Sequence, residues 1–544
     1  MNYSIKKISL LITLASLALG ACQKDFLDRK PLNLVSEETV WNDPALIKLS
    51  VNEFYTFMPT GFTNTYLPSA ITDEVQLIGT EERKINTYLT GDFLNSSFPD
   101  RNLWRDYYAQ IRKINYFLER AEKSQILNTQ DKNLVMGQAR FFRAYLYFQL
   151  FSNFQEVPLI TKVQTSDQAD QKVEKATLQA GITFIAKELA TAATELPDTY
   201  SKDEWGRISK QAALAYQSRV LLWWASPLNN STQESARWEA AAKSANAVIS
   251  SGVFDLQQDY SQPFLVKNVM TKPEVILEVR YNGLKGQKQH AFDKNNSAVG
   301  FGGKGINCPT QEMVDAYEMR NGKMIHEQGS GYDPIDPFKD RDPRLAKSVV
   351  YNGSSFKGRI VELYVGGKDM PTASASPTGY YIRKFIDEKF DYNADATVGS
   401  STNWIVMRYA EVLLNYAEAQ NELEGPTAEV YSAVNRVRKR AGMPNLPAAL
   451  SQTQMRTRIL HERRVELAFE DNIRYQDLKR NKQAEQVLNG DLHGVSTRRN
   501  VDGTFTVTSK VAGKRLFEPR HYWMPIPLTE LAINTNLQPQ NPGW

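Results

Sequence analysis

The sequence predicts a mainly α-helical protein, in which a scaffold of helical hairpins carries a large loop-rich lobe. Several segments repeat apolar residues at helical spacing, and two long regions are rich in Gly, Pro, Asn, Ser and Thr. The 544 residues are enough for more than one core, and 42% hydrophobic with 23% charged residues is typical of a folded protein. The formal net charge of +4 gives no reason to expect a nucleic-acid partner.

The N-terminal segment predicts export and lipid attachment. Lys6 and Lys7 precede a mostly apolar run over residues 8–19, and Gly20 and Ala21 stand directly before Cys22, as in a bacterial lipobox. About 12 helical residues span roughly 18 Å, too short to cross a hydrocarbon layer of ~30 Å. We therefore expect residues 1–21 to be a signal peptide, Cys22 to carry lipid, and residues 22–37 to form a tether. The alternative is an ordinary signal peptide with a chance cysteine.

Apolar stripes predict the helices of an N-terminal region, for which we predict the limits 38 and 259. One stripe runs from Trp104 to Leu118, and residues 140–154 are apolar on nearly all sides, which indicates a buried helix that stops before Pro158. Further stripes cover residues 182–196 and 238–249. Their repeated i, i+3, i+4, i+7 spacing predicts helices that bury one face.

The same pattern resumes in a C-terminal region, residues 260–544, whose helical part we place at 405–480. Apolar residues from Met407 to Ala417 share one face, and Gly425 and Pro426 end this segment before a second one begins at Val430. Two helices joined by so short a turn form a hairpin. Several such hairpins predict tetratricopeptide-like stacking, although no clean 34-residue period is visible.

Two irregular regions, residues 59–101 and 260–400, interrupt the helices. Loops of this length in a compact protein usually carry function. A rigid helical scaffold with large loops indicates a binding protein and says little about chemistry.

The helix predicted over residues 459–471 contains acids that a glycosidase could use. A catalytic pair would flank a cleft at about 5–10 Å. Each acid here has an arginine beside it, and Arg463 and Glu466 stand at i, i+3 on one face. Neighbouring guanidinium groups keep carboxyls ionised, so we interpret these residues as structural ion pairs.

Other motifs for catalysis, cofactors or metals are weak. Residues 300–305 match GxGxxG, but a polar segment precedes them instead of the buried strand that a dinucleotide site needs. Asp391, Asn393 and Asp395 resemble the start of a calcium loop, yet Ala396 replaces its turn glycine. Four aspartates lie between residues 333 and 342. We expect them to cap turns, and a cation site is the minor alternative. The five histidines form no HExxH motif and no serine lies in GxSxG, so we predict no catalytic residues, cofactor or metal.

A series of motifs extends in order over nearly the whole chain. They are Asp25-Phe26-Leu27-Asp28 after Cys22, Trp104 with Tyr108, Ile111 and Asn115, Gly137 to Tyr145 leading to Val157-Pro158-Leu159, Gly206-Arg207-Ile208, Asp340 to Leu345, Arg408 to Leu414, Glu462 to Glu470, Pro525-Ile526-Pro527 and Gln540 to Trp544. Together they resemble the SusD/RagB family of nutrient-binding outer-membrane lipoproteins of Bacteroidota.

The resemblance implies a tetratricopeptide-type fold with a loop-built ligand lobe and no catalytic activity. It further implies a lipid-anchored protein on the cell surface that forms a lid over a SusC-like, TonB-dependent barrel and delivers glycans for import. Peptide uptake of the RagB type stays open as an alternative. The residues themselves leave two further alternatives open. One is a surface glycosidase that uses loop carboxylates, and the other is a scaffold that binds a protein partner and no nutrient.

Loop aromatics and their polar neighbours are the candidates for ligand contact. A sugar packs its C–H face on an aromatic ring while amides, acids and backbone groups bind its hydroxyls, and several modest contacts are needed for useful affinity. Each residue alone is more often loop packing than ligand contact, but we expect at least two to touch the ligand. The predicted ligand-binding residues are Phe62, Asn64, Tyr66, Asp73, Tyr88, Asn95, Phe98, Tyr281, Asn282 and Phe292.

Overall fold

The computed structural model describes residues 37–58, 60–62, 65–91, 103–165, 172–265, 272–284, 287–395 and 397–544. The predicted signal peptide, Cys22 and almost all of the tether lie outside these residues, as do Asn64, Asn95 and Phe98.

Nine helices of eight or more residues occur in the described part of the chain. They are α1 (Leu103–Lys123), α2 (Thr129–Phe154), α3 (Leu178–Glu195), α4 (Lys210–Ala225), α5 (Ser235–Ser250), α6 (Tyr409–Glu424), α7 (Ala428–Arg440), α8 (Gln452–Glu466) and α9 (Ile473–Arg480).

Shorter helices lie mostly in the irregular regions. They are Glu37–Trp41, Pro44–Ser50, Val51–Phe57, Pro68–Ile71, Gly79–Glu82, Arg83–Ile85, Asn86–Leu89, Lys202–Glu204, Gln262–Leu265, Phe292–Asn296, Val299–Phe301, Gln311–Ala316, Pro343–Ser348, Ala484–Val487, Pro519–Tyr522, Leu528–Ile533 and Thr535–Leu537.

The strands form antiparallel pairs. They are β1 (Val75–Leu77) with β5 (Asn307–Pro309), β2 (Val157–Pro158) with β3 (Lys175–Ala176), β4 (Val275–Val279) with β10 (Trp404–Arg408), β6 (Val349–Val350) with β9 (Tyr381–Ile382), β7 (Ser355–Phe356) with β8 (Arg359–Ile360), and β11 (Gly490–Arg499) with β12 (Phe505–Arg515).

Each of the helices α1 to α5 packs against the next, α5 packs against α6, and α6 packs against α7 and α8. Side-chain caps mark several helix starts: Thr177, Ser209 and Thr427 each accept a hydrogen bond from the first turn, and Ser451 forms a capping box with Gln454. Such caps typically contribute about 1 kcal/mol each. The prediction of a mainly helical scaffold is confirmed.

The central helix α2 is buried on almost every side, because helices on both flanks cover it. Its C-terminal end agrees with the predicted stop before Pro158, while its start lies eleven residues ahead of the predicted stretch, at Thr129. Asn128 caps this start by accepting a hydrogen bond from the backbone N–H of Asp131.

The two irregular regions, far apart in sequence, meet in one lobe. Strand β1 of the first region pairs with β5 of the second, with Val75 opposite Pro309 and Leu77 opposite Asn307. This ladder and the contact between α5 and α6 both cross the predicted boundary near residue 260. The division into two regions stays a sequence-based prediction.

Among the described residues, no helix has the length and apolar character needed to cross a membrane. The same residues contain no group of three or more His, Cys, Asp or Glu side chains arranged to hold a metal ion.

Candidate functional site

A cavity of about 250 Å³ lies where the first irregular region meets the helical scaffold. Its wall takes residues from α1, α2, α4, α6, α8 and α9, together with residues 60–88. Aromatic rings dominate this wall: they belong to Tyr66, Tyr88, Tyr107, Tyr145, Phe148, Tyr216, Trp223 and Tyr475.

Helical spacing places the deeper rings side by side. Tyr145 and Phe148, three residues apart on α2, meet Tyr216 of α4 with ring centroids 5.3 and 5.9 Å apart. Phe148 also meets Trp223 at 5.6 Å. These tilted and edge-on contacts are the favoured arrangements of aromatic pairs. The rings are therefore held in place before any ligand enters.

One side of the cavity wall carries an ion-pair group centred on Arg219 of α4. Its Nε donates to Glu411 Oε1 at 2.8 Å and its Nη1 donates to Asp471 Oδ2 at 3.1 Å. Burial raises the pKa of the Asp471 carboxyl, and the neighbouring guanidinium opposes that rise. The guanidinium lies 5.6 Å from the centre of the Tyr216 ring, so charge and aromatic surface are adjacent here.

A second ion-pair group in the wall is centred on Asp477 of α9. Its carboxylate accepts hydrogen bonds from Arg463 Nε and Arg480 Nε, both at 2.8 Å. Burial alone would raise the pKa of Asp477, but the two arginines hold it well below its usual range. We call these two groups together the cavity wall charges: Arg219, Glu411, Asp471, Arg463, Asp477 and Arg480.

A larger set of buried ion pairs, the ionic core, lies around α8. In the ionic core, Arg344, Arg408 and Arg440 surround Glu466. Burial alone would raise the pKa of Glu466, but these three arginines hold it well below its usual range. The ionic core comprises Glu274, Glu318, Asp342, Arg344, Lys384, Arg408, Arg438, Arg440, Glu462, Glu466 and Glu470.

The acids of α8 are thus structural, as predicted, but their partners differ from the expected ones. Arg463 does not pair with Glu466; it reaches Asp477, while arginines from outside α8 take Glu466. The reason is that i, i+3 proximity on one helix is outweighed by partners that approach from facing elements.

Two predicted ligand residues, Tyr66 and Tyr88, line the cavity. Both rings are half-buried and pack against the main core. Tyr66 comes from a loop and Tyr88 from the short helix Asn86–Leu89, both in the first irregular region, whereas the other rings of the wall come from α1, α2, α4 and α9. The structure therefore places these two predicted residues next to the helical scaffold.

Three other predicted residues, Phe62, Tyr281 and Phe292, pack together away from solvent. The ring of Phe62 lies 4.6 Å from Phe292 and 6.3 Å from Tyr281, and it contacts Trp404 at 4.9 Å. A Cβ at Gly61 would come within 2.4 Å of the Trp404 ring, so any other residue at this position would displace that buried ring. In this conformation these rings stabilise the lobe, and their contact with ligand stays a prediction.

Asp73 and Asn282 differ from both groups. Asp73 is buried, and its carboxylate is held by Arg464 at 2.7 Å and by Arg474 at 2.9 Å. Asn282 is exposed, and its amide donates to Gln287. Neither lines the cavity, and their ligand roles stay predictions.

The weaker motifs appear as ordinary loop structure. The stretch over residues 300–305 follows the short helix Phe292–Asn296 rather than a strand, so the βα element of a dinucleotide site is missing among the described residues. Asp391 and Asp395 each accept a backbone hydrogen bond two residues ahead, from Asn393 and Thr397. Such bonds are typical of turns.

Sequence reasoning missed most of the cavity. Tyr107 falls in the apolar stripe from Trp104 to Leu118, and Tyr216 and Trp223 lie on the largely buried helix α4, so helical spacing predicts core positions for all three. Arg219 gives the one available signal, since a charged residue within a largely buried helix needs a partner. Its partners Glu411 and Asp471 lie 192 and 252 residues further along the chain, so spacing alone could not identify them.

Comparisons with known proteins cover both halves of the chain. Residues 273–544 match the model of a family described as the SusD family, and residues 25–222 match one described as starch-binding associating with outer membrane. A curated relative, SusD-like protein P2 of Formosa agariphila, is 27% identical over 575 aligned positions, with 100% of each chain covered.

Solved structures agree in fold. A SusD-like protein from Bacteroides fragilis is 28% identical and superimposes with a TM-score of 0.80, covering 95% of this chain and 100% of that one. A SusD-like carbohydrate-binding protein from the same species is 27% identical, with a TM-score of 0.79 over 92% of this chain and 100% of that one. The scaffold of this chain is thus the tetratricopeptide-like one of SusD-like structures.

Proposed function

Because the chain belongs to the SusD family, whose members are carbohydrate-binding proteins and not enzymes, we propose that it is a cell-surface lipoprotein that captures an oligosaccharide for import. The captured glycan passes to a SusC-like, TonB-dependent barrel of the outer membrane, over which the protein acts as a lid. Lipid on Cys22 supplies the membrane attachment, since an anchor with more than one acyl chain holds stably. Peptide cargo is the alternative to a glycan.

The observation that supports this proposal most is the cavity. Eight aromatic rings surround a space of about 250 Å³, near the lower end of typical ligand pockets, which suits a short stretch of glycan. The half-buried rings of Tyr66 and Tyr88 supply stacking faces, and the amides of Gln149 and Asn472 in the same wall can bind hydroxyl groups. Tyr66 and Tyr88 stand on the loop side of the wall.

Titration of the full lipoprotein in mild detergent with a panel of oligosaccharides and peptides tests the capture step. We expect an oligosaccharide to bind, and Tyr88→Ala to weaken it about tenfold, because a lost aromatic contact costs on the order of 1–1.5 kcal/mol. Tyr364→Ala is the matched control, since Tyr364 packs on Phe505 of β12 and does not line the cavity.

Binding of peptides alone would favour the peptide alternative, and an equal loss in both tyrosine variants would remove the cavity from the proposal. Retention of a large outer-membrane barrel during gentle purification tests delivery. A preparation that stays free of any barrel contradicts the lid role.

A further inference from the structure

The hairpin of β11 and β12 has one covered edge and one open edge. At the outer edge of β11, the backbone N–H of Val495 donates to the carbonyl of Thr378 at 2.8 Å. The carbonyl of Thr497 accepts from the N–H of Val365 at 2.9 Å, so β11 lies against the lobe. β12 is the other strand of this two-stranded sheet, and every residue over 505–509 is exposed. The open edge of the sheet is therefore the outer edge of β12.

The ladder of the hairpin determines which backbone groups of β12 point outwards. The N–H of Asn500 donates to the carbonyl of Thr504 at 2.8 Å and closes the hairpin. Because the bonded pairs of an antiparallel ladder alternate, Thr506, Thr508 and Lys510 bond towards β11. The residues between them direct their N–H and C=O groups away from β11, and none of the described residues forms a hydrogen bond with these groups. They are Phe505, Val507, Ser509 and Val511.

The open edge carries apolar side chains and lacks the usual protection of an edge strand. Phe505, Val507 and Val511 are 44%, 44% and 54% exposed. Proteins commonly protect such an edge with a short strand, a proline or charged side chains. β12 has eleven residues without proline, and its first five are uncharged. The amine of Lys510 reaches the lobe, where it donates to the carbonyl of Ser376 at 3.3 Å. This edge is therefore suited to pairing with another strand.

We propose that the edge binds β12 of a second copy of the chain, in antiparallel orientation, with the two-fold axis at Thr508. In this register Phe505 lies opposite Val511 of the second copy, and Val507 lies opposite Ser509. The outward backbone groups of the two strands then meet as bonded pairs, and the exposed apolar side chains lie beside each other. The pairing does not depend on the glycan.

Charge distinguishes this register from its neighbours. It brings Lys514 to the turn of the second copy, which carries Asp502, and both side chains are exposed. Lys514 also lies 3.4 Å from Asp491 of its own chain, an exposed pair that contributes little. An axis one residue away leaves Lys514 opposite an uncharged residue. An axis two residues away places Lys510 against itself in one direction and Lys514 against an arginine in the other.

Pairing of this kind stops at two copies. The resulting four-stranded sheet has the order β11, β12, β12, β11, so both of its outer edges are edges of β11 that the lobe already covers. A contact through one strand edge is small beside the roughly 1,600 Å² of a standard interface. We therefore expect a weak dimer that a covalent link can capture.

Thr508→Cys links the two copies in this register, and Thr506→Cys is its matched control on the same exposed face. Opposite residues of a non-bonded antiparallel pair have Cα atoms about 4.5 Å apart, a distance that a disulfide spans. The two copies of position 506 are four residues apart along the strands, about 14 Å, which is too far. Cys308 is fully buried, so it does not compete for the link.

The test oxidises the full lipoprotein in mild detergent and measures the disulfide-linked dimer on non-reducing gels, with the wild-type protein as the background. We expect Thr508→Cys to give at least tenfold more dimer than Thr506→Cys. Adding Val507→Lys to the Thr508→Cys protein should lower the yield at least fivefold, because a lysine on the edge opposes pairing. Ile335→Lys, at an exposed position outside the hairpin, is the matched control and should leave the yield unchanged.

Each other result overturns a stated part of the proposal. Equal yields from the two cysteine variants, or no dimer from either, overturn the pairing. More dimer from Thr506→Cys than from Thr508→Cys overturns the register. A link from Thr508→Cys to a different protein, without dimer, overturns the choice of a second copy. Glycan titration of the same variants keeps the two proposals separate, since a loss of dimer with unchanged glycan affinity supports the pairing and leaves capture standing.

Discussion

The cavity wall charges and the ionic core contain the same residue types, yet they differ in what surrounds them. In the ionic core, Arg344 and Arg408 are 1% exposed and every partner is a protein group. In the cavity wall, Asp471 and Arg219 border open space. A buried pair that is fully enclosed can only hold the fold together, whereas a pair at the edge of a cavity also sets the charge that a ligand meets.

This difference shows why acidic residues in the sequence are a poor guide to function. The most acid-rich motif, Glu462 to Glu470, contributes its acids to the ionic core, whereas Asp471, which follows that motif directly in sequence, lies in the cavity wall. Neighbours in the chain thus serve different purposes, because Glu470 faces the ionic core while Asp471 borders the cavity.

Removal of Arg408 should have the largest effect on the free energy of unfolding. Its guanidinium binds Glu274, Glu466 and Glu470. Arg408→Met leaves these buried acids short of a partner, which typically costs about 3–5 kcal/mol. Denaturant unfolding measures the loss, with Arg219→Met in the cavity wall as the matched variant. The comparison fails if Arg219→Met destabilises the protein as much as Arg408→Met does.

Glu74 should give an intermediate effect that depends on pH. Its neighbour Asp73 takes Arg464 and Arg474, while Glu74 accepts a backbone hydrogen bond from Phe469 at 3.1 Å. Burial raises the pKa of Glu74 from 4.5 to about 7. Because the folded state holds this proton more tightly, its contribution is complete below pH 4.5 and is lost as the pH rises through 7, a change of up to about 3 kcal/mol.

Glu74→Gln removes that titration and keeps an oxygen for the Phe469 N–H. We expect the free energy of unfolding of the variant, relative to that of the wild type, to increase from pH 4.5 to pH 8. Denaturant unfolding at both pH values measures it. If the free energies of unfolding of variant and wild type differ by the same amount at both pH values, Glu74 is ionised in the folded protein, like the acids of the ionic core.

Much of the scaffold could be predicted from the sequence, because apolar periodicity is local. The stripe from Trp238 to Ile249 lies in α5, and Gly425, with φ of 83°, ends α6 where predicted. The pairing of β1 with β5 could not be predicted, because three-residue strands have no usable period and their partners are more than two hundred residues apart. The pairing that joins the two parts of the lobe therefore cannot be predicted from local sequence patterns.

The candidate site was predictable only on its loop side. Tyr66 and Tyr88 could be found because aromatic rings in polar loops are unusual. Tyr145 and Tyr216 could not be separated from core residues, since a ring that lines a cavity and a ring that fills a core occupy the same helical positions. The difference between them is the empty space beside the ring, which depends on how four or more elements meet.

The ion pair between Lys113 of α1 and Glu53 should matter least. The two side chains are about half exposed, so water competes for both charges and salt screens them. We expect Lys113→Ala to change the free energy of unfolding by no more than about 0.5 kcal/mol, and to leave glycan affinity unchanged, since Lys113 does not line the cavity. Denaturant unfolding at low and high salt measures this. A loss near that of Arg408→Met would show that burial does not determine what an ion pair contributes in this protein, and the contrast between ionic core and cavity wall would then need another cause.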